Sequence, residues 1–308
     1  MNLSLMSRML ALAMIWGGSF LFMRLAVPEF GAGFTAAGRL GLSALALVIF
    51  AWLQGLSLEW RKHWKAYLWI GAASAAIPFL MFALMARYLP AGYSALLNAT
   101  VPLFAVLMAW GTQHARPSWS KLAGVATGMA GVITVARFGT VTLDVPTVLA
   151  FGAGLLAAFL YAFSAGELRR RFAGTDPVVA ATGTQLGAAI LMVPMLFINL
   201  PTAVPALVPG LALIALGLVC TATAYVMYFR VLREAGAERG TTVTFMVPLF
   251  AQLWGALFLD EAITWASLIG LALVLFAVAL VFEKVRWPRR REAVVAAALP
   301  LATCVAKK

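Results

Sequence analysis

The sequence predicts an all-α integral membrane protein with ten transmembrane helices, arranged as two five-helix inverted-topology repeats. Hydrophobic residues make up 63% of the 308 residues and charged residues only 11%, whereas soluble domains carry about a quarter charged residues. Apolar runs of about twenty residues, the length that a helix needs to cross a bilayer, recur along the chain. A five-residue motif with a proline inside it also occurs once in each half. The long apolar runs predict the spans, and the repeated motif predicts the duplication.

Ten apolar segments can be marked in the chain, five in each half. Breaker residues such as Pro28, Gly55 and Gly174 separate them, and no connection is long enough for a soluble domain. The predicted segments cover approximately residues 7–27, 33–53, 65–87, 91–112, 119–136, 146–168, 177–199, 207–230, 237–259 and 264–282.

The repeated motif is Val-Pro-Leu-Phe-Ala, which stands at residues 101–105 and again at residues 247–251, an offset of 146 residues. At the same offset Gly71 matches Gly217, and two tryptophans also match. Without a gap from residue 70 to residue 136, about a quarter of the positions are identical, whereas apolar composition alone would give roughly a tenth. The motif therefore belongs to an internal duplication.

The duplication predicts the domain organisation. The first repeat is expected at 1–142, the second at 143–286 and a cytoplasmic tail at 287–308. A repeat unit with an odd number of spans inserts its second copy upside down relative to the first. Inverted repeats of this kind are the usual build of secondary transporters, whose substrate sites lie near the midplane between the halves.

The distribution of positive charge predicts the orientation. If the N-terminus is cytoplasmic, 19 of the 23 lysines and arginines fall on the cytoplasmic side, which is the bias that the positive-inside rule describes. Both termini are then cytoplasmic. The net charge of +12 is explained by this placement, and a nucleic-acid partner is not expected.

Enzyme chemistry is not expected. The two histidines, His63 and His114, fall in predicted loops, and the chain contains neither an H-E-x-x-H motif nor a G-x-x-x-x-G-K-[ST] phosphate loop. Two cysteines, one of them in the tail, support neither a disulfide framework nor a cysteine metal site. No acidic residue is predicted at mid-membrane, where proton-coupled carriers often keep a carboxylate. We therefore expect no catalytic residue, no metal and no cofactor.

The two prolines of the motif indicate where a cavity would lie. Each proline donates no N–H and frees the carbonyl four residues before it, which belongs to Asn98 for Pro102 and to Thr244 for Pro248. In lipid such a carbonyl needs a partner within the protein or in a water-lined cavity. One interpretation is that these faces line a central cavity, and the other is that the prolines only kink the helices for packing.

Arg39 lies about two turns into the second segment, and Gln185 is its partner at the same offset. Arg39 could extend to the interface, line the cavity, or hold a substrate carboxylate. Aromatic and small polar residues complete a cavity with apolar walls and few polar groups, the usual form of a small-molecule site. The predicted lining consists of Trp16, Ser19, Arg39, Asn98, Pro102, Tyr161, Gln185, Tyr225, Tyr228, Thr244, Pro248 and Gln252.

The order of these features resembles the EamA-type transporters of the drug/metabolite transporter superfamily. The resemblance is carried by Trp-Gly-Gly-Ser-Phe at residues 16–20, by Arg39-Leu40, and by the paired Val-Pro-Leu-Phe-Ala helices, each followed by a helix that starts at tryptophan. Asp260-Glu261 before the last helix also fits, while His114-Ala115 departs from the usual Gly-Glu. The similarity covers nearly the whole chain up to about residue 283.

The resemblance implies an alternating-access carrier of the bacterial inner membrane that exports amino acids, other metabolites or drug-like compounds. The expected partners are a small-molecule substrate and membrane lipids, with a homodimer as one arrangement. Two alternatives stay open at this point: a flippase for a lipid-linked substrate on a related fold, and a membrane scaffold that transports nothing.

Overall fold

A computed structural model describes residues 3–113, 117–198, 204–240 and 243–282, and all regular structure in these ranges is helical. The predicted tail 287–308 and His114 lie outside the described residues. The α-helices are α1 (Leu3–Leu53), α2 (Trp60–Gly71), α3 (Ile77–Met85), α4 (Ala91–Asn98), α5 (Val101–Gln113), α6 (Trp119–Phe138), α7 (Val145–Arg171), α8 (Pro177–Met192), α9 (Met195–Ile198), α10 (Leu207–Ile214), α11 (Ala224–Gly240), α12 (Val243–Leu259) and α13 (Trp265–Val281). Two π-helical segments, Ala72–Ala76 and Ala215–Thr223, join α2 to α3 and α10 to α11.

Seven helical stretches in the described ranges are long and apolar enough to cross a membrane, and α12 and α13 are shorter apolar helices. The protein is therefore a multi-pass membrane protein. The seven stretches are Leu3–Leu53, Trp60–Met85, Ala91–Gly111, Trp119–Phe138, Val145–Arg171, Pro177–Ile198 and Leu207–Val231.

Helix α1 contains a sharp kink that joins two helical limbs. The sequence predicts a break at Pro28, but the helix runs through Pro28 and bends at Gly31, where φ is 70° and ψ is 164°. A left-handed φ of this kind is open to glycine and strained for other residues. Gly31 therefore divides α1 into a first limb, 3–30, and a second limb, 32–53.

The two copies of the Val-Pro-Leu-Phe-Ala motif differ in structure. In the first copy the chain leaves the helix after Asn98 and α5 restarts at Val101, so that Pro102 stands in the first turn of a new helix. Proline is tolerated there because the first N–H groups of a helix have no partner within it. In the second copy Pro248 lies inside α12, which continues without interruption. The same motif therefore starts a new helix in the first copy and lies inside a continuous helix in the second.

The π-helical segments occupy corresponding places in the two halves, since Ala72–Ala76 falls within Ala215–Thr223 at the offset of 146 residues. The glycines at this junction pack closely against the other half. A Cβ at Gly71 would meet the backbone of α8, and a Cβ at Gly217 would lie 3.2 Å from the carbonyl oxygen of Arg39. Small residues of this kind let membrane helices approach each other closely.

Helices α6 and α13 pack along a second line of glycines. A Cβ at Gly131 would lie 2.8 Å from the carbonyl oxygen of Gly270, and one at Gly124 would lie 2.8 Å from the carbonyl oxygen of Ala277. The Gly124-x-x-x-Gly128 motif predicts a packing or dimer interface. In the structure this face of α6 packs against α13 of the same chain.

We expect the Gly131→Ala substitution to destabilise the protein by about 1–3 kcal/mol, because the added methyl group meets backbone that cannot move aside cheaply. The matched control is Gly152→Ala in α7, where a Cβ meets nothing within 4 Å and alanine stabilises a helix by roughly 0.5–1 kcal/mol relative to glycine. Thermal unfolding in detergent checks both variants. Equal melting temperatures for the two variants would contradict the close packing of α6 on α13.

Candidate functional site

Arg39 is the centre of a polar cluster between the two halves. It lies in the second limb of α1 and is 5% exposed. Its Nε donates to Thr221 Oγ1 at 2.9 Å, one terminal nitrogen lies 3.9 Å from the sulfur of Met23, and its guanidinium carbon lies 3.8 Å from the centroid of the Phe79 ring. No carboxylate in the described ranges lies within ion-pair distance of it. Arg39 is thus a buried cation held by a hydroxyl, a thioether and an aromatic face.

The second π-helical segment presents Thr221 to Arg39. The wider turn allows the Thr221 hydroxyl to donate to the carbonyl oxygen of Leu216, five residues earlier, at 2.7 Å while it accepts from Arg39. Gly217, in the same segment, brings this backbone against the carbonyl of Arg39. π-Helical turns inside α-helices occur frequently at functional sites. The local irregularity and the close approach together bring the hydroxyl to the guanidinium.

The cluster has an approximate internal symmetry. Gln185 corresponds to Arg39 at the repeat offset, and Tyr225 corresponds to Phe79. Gln185 is 3% exposed and lies beside Tyr225, as Arg39 lies over Phe79. Each half therefore contributes one polar side chain and one aromatic ring, and only the first half contributes a charge.

Further aromatic rings surround the guanidinium. Tyr161 and Tyr225 lie within electrostatic range of Arg39, and the Tyr161 ring lies 5.9 Å from the ring of Phe82. Tyr225 stacks on Phe229 at 6.1 Å with an interplanar angle of 11°. These rings give the cluster apolar walls.

Four buried oxygen atoms in the described part of the chain have no hydrogen-bond partner. They form two pairs, each on one helical face: Ser94 and Asn98 on α4, and Thr182 and Gln185 on α8. A buried polar atom without a partner in the protein is costly, and such an atom can still accept a hydrogen bond from water or from a polar solute. These oxygens offer acceptor positions to a polar solute.

The predicted lining residues separate into several groups. Arg39, Tyr161, Gln185 and Tyr225 come together in the central cluster. Trp16 and Tyr228 form a separate tilted pair with ring centroids 5.1 Å apart, and Ser19 is buried in the first limb of α1. Pro102 lies in α5, and Thr244 and Pro248 lie in α12. Gln252 donates to Ser267, a residue of the capping box that starts α13.

Glu261 joins the two halves at the face opposite the N-terminus. One carboxylate oxygen accepts from the Arg24 Nε at 3.2 Å, and the two oxygens accept from the Ala91 N–H at 3.1 and 2.8 Å. Arg24 also donates to the carbonyl oxygen of Ala86 at 2.9 Å. The carboxylate thus caps the N-terminus of α4, where the helix dipole favours a negative charge. We call Arg24, Ala86, Ala91 and Glu261 the Glu261 latch.

The latch requires close packing beneath it. Gly255 lies against the Glu261 carboxylate, so that a side chain at this position would displace the carboxylate. Glu261 is 11% exposed at its side chain, and burial raises the pKa of its carboxyl, although the Ala91 N–H and Arg24 act in the opposite direction. The latch therefore titrates at a higher pH than an exposed glutamate does.

A small cleft opens at the other face, between the second limb of α1, the start of α8 and the middle of α11. It encloses about 160 Å³ and is lined by Phe50, Gln54, Leu56, Asp176, Val178, Val226, Phe229, Arg230 and Arg233. Phe229 is also the ring that stacks on Tyr225. The stacked pair of Phe229 and Tyr225 therefore joins the wall of the cleft to the central cluster.

Comparison with protein families identifies this architecture. The model of the EamA-like transporter family matches residues 4–137 and again residues 148–283. The chain belongs to the EamA-like transporter family. The two matches fall on the two halves that the internal sequence repeat relates, and the resemblance stated from the sequence is confirmed.

Curated relatives of this EamA-like transporter are named as transporters. The chain is 25% identical to the probable terminal-alkyne amino-acid exporter of Streptantibioticus cattleyicolor over 90% of its length and 93% of the relative's. It is 25% identical to the uncharacterized inner membrane transporter YedA of Escherichia coli over 91% and 90%. An uncharacterized transporter of Archaeoglobus fulgidus is 26% identical over 85% and 92%.

A solved crystal structure supports the fold. It superimposes with a TM-score of 0.63 at 20% identity, and the match covers 91% of this chain and 96% of the other. At this identity the likeness concerns the fold alone.

Sequence reasoning did not find several residues of the two clusters in this EamA-like transporter. Phe79 could have been found from its repeat partner Tyr225, and Glu261 from its place in the motif before the last helix. Thr221 carries no such signal, since its repeat partner is Ala75. Over the described residues no group of three or more His, Cys, Asp or Glu side chains could hold a metal.

The pKa of Glu261 predicts a pH-dependent stability. Because its folded pKa is raised, the stability that Glu261 contributes is complete below the usual pKa of a glutamate and is lost as the pH rises through the raised value. The Glu261→Gln variant does not titrate, so its melting temperature relative to the native protein should increase with pH. Thermal unfolding in detergent between about pH 4 and 8 measures this difference.

The control is Glu29→Gln, which removes an exposed carboxyl without touching the latch. A difference between Glu261→Gln and the native protein that stays constant with pH, or that falls as the pH rises, would contradict the raised pKa.

Proposed function

We propose that this protein is an inner-membrane secondary transporter that exports small organic solutes by alternating access. In this proposal ten spans form two inverted repeats, 1–142 and 143–286, with both termini in the cytoplasm. The substrate is bound near the midplane between the repeats. Membership of the EamA-like transporter family and the relative named as a probable amino-acid exporter support the proposal.

The observation that carries the proposal is the buried polar cluster around Arg39. It draws side chains from both halves, including Thr221, Gln185 and Tyr161, and it contains an oxygen atom without a partner. A scaffold would gain nothing from a buried charge that no carboxylate neutralises, because such a charge costs several kcal/mol. A carrier needs polar groups of this kind to replace the water around its solute.

The Glu261 latch and the cleft on the other face support the direction of transport. With the N-terminus in the cytoplasm, the latch closes the outer side and the cleft faces the cytoplasm. A solute would enter from the cytoplasm, reach the Arg39 cluster past Phe229 and Tyr225, and leave after the latch opens. A conformation that is closed on the outer side and has a cleft on the cytoplasmic side is the one in which an exporter binds its substrate.

Flux into vesicles tests the function. The purified protein is reconstituted into phosphatidylethanolamine–phosphatidylglycerol vesicles and screened for uptake of amino acids and other small metabolites. Saturable flux of a water-soluble solute supports the proposal. Movement of a labelled lipid without solute flux would favour the flippase, and neither activity would favour the scaffold.

A cross-link through the closed face tests alternating access. The Cβ of a side chain at Gly92 in α4 would lie 3.2 Å from the Cβ of Gln252 in α12, close to the separation of about 3.5–4.5 Å found in disulfides. Oxidation of the Gly92→Cys/Gln252→Cys double variant should reduce solute flux to the level of empty vesicles, and reduction should restore it. The two single variants are the controls. Unchanged flux with the cross-link formed would contradict an opening at this face.

A further inference from the structure

Arg39 has no charged partner in the described part of the protein. The titratable groups that interact with its guanidinium are Tyr161, Cys220 and Tyr225, all of which are uncharged at neutral pH in their ordinary state. A guanidinium has five N–H donors, and here one of them donates to an oxygen, that of Thr221, and one approaches a sulfur. The remaining donors are available to a ligand.

The geometry of the guanidinium restricts the chemistry of that ligand. Phe79 covers one face of the plane, Thr221 takes the donor on Nε, and one terminal nitrogen contacts the Met23 sulfur. Each terminal nitrogen still carries an N–H that donates to no oxygen. Two such donors in a plane match the two oxygens of a carboxylate and bind it through parallel, charge-assisted hydrogen bonds. An ammonium or a neutral amine would be repelled or left without an acceptor at this position.

The surroundings limit the charge and shape of the ligand. Among the described residues no second lysine or arginine interacts with Arg39. One cation neutralises one negative charge, so a monocarboxylate fits better than a phosphate dianion. The rings of Tyr161, Phe82 and Tyr225 supply apolar walls. The unpartnered oxygen of Gln185 is an acceptor for a donor group on the ligand, such as the ammonium of an amino acid.

The cleft on the side of the N-terminus is also lined by positively charged side chains. Arg230 and Arg233 line the cleft on the face that contains the N-terminus, although Asp176 lies there too. Both arginines belong to α11, the helix that also bears Tyr225 and Phe229. A carboxylate solute would meet positive side chains at the mouth and a single buried cation at depth.

From these observations we infer that Arg39 binds the carboxylate of the transported solute, which is a monocarboxylate with an apolar or aromatic body. This inference rests on the proposed transport function, and it adds the substrate class and the residue that recognises it. Gln185, at the equivalent position of the other repeat, accepts a hydrogen bond from a donor group of the solute through its unpartnered side-chain oxygen.

Matched acids and amides test the inference. The melting temperature of the purified protein is measured with 3-phenylpropionate, L-phenylalanine and the amide of each, at constant sodium chloride concentration. We expect stabilisation by one or both acids and none by their amides. Arg39→Gln, which places at position 39 the residue type of its repeat partner, should weaken binding of the acid by about 10- to 100-fold. Arg39→Lys keeps the charge without the planar fork and should give an intermediate loss.

The control is Arg87→Gln, which removes an exposed arginine at the opposite face and should bind the acids as the native protein does. Equal binding of acids and amides, stabilisation by sodium chloride alone with no added effect of the acids, or unchanged acid binding by a folded Arg39→Gln variant would each overturn the inference.

Flux measurements separate this inference from the proposed function. Saturable flux of solutes that carry no carboxylate, unchanged in Arg39→Gln, would overturn the inference and leave the transporter intact. Arg39-dependent binding of a carboxylate with no flux of any solute would support the carboxylate site and contradict the proposed transport function.

Discussion

The close approach of Gly217 to the backbone of Arg39 is the contact on which the central cluster depends. Without a side chain at this position, the second π-helical segment lies directly on the second limb of α1. This contact brings Thr221 within 2.9 Å of the guanidinium. Gly71 makes the corresponding approach to α8 in the other half. In a bilayer, where lipid is as apolar as the helix surface, such backbone contacts are a main source of helix association.

A buried charge defines the chemistry that this packing encloses. In a low-dielectric interior an arginine without an anion is costly, and the neutral partners around Arg39 compensate only part of that cost. The hydroxyl, the thioether and the aromatic face partly stabilise the cation, and the terminal nitrogens keep N–H groups that donate to no oxygen. The same arrangement that weakens the empty protein would therefore favour an anionic solute. This is the physical basis on which the proposed carrier function and the inferred carboxylate site rest.

The Glu261 latch shows the opposite solution for a charge. Here the carboxylate is neutralised by Arg24 and by the N-terminus of α4, so that the charges are used to hold two halves together. The latch and the central cluster are separate sets of residues on the same bundle. One contributes an ion pair and a helix cap that join the two halves at one face, and the other contributes a buried cation at depth.

The membrane class, the internal duplication and the pairing of Arg39 with Gln185 follow from the amino-acid sequence alone, because hydropathy and a constant offset can be read directly along the chain. The sequence also placed four residues of the central cluster among its twelve candidates. The bend of α1 at Gly31 rather than Pro28, the unbroken α12 around Pro248, and the partners of Thr221 and Glu261 in the other half become visible only in the folded protein. These outcomes depend on the partner against which each backbone packs, and sequence spacing within one helix carries no information about that partner.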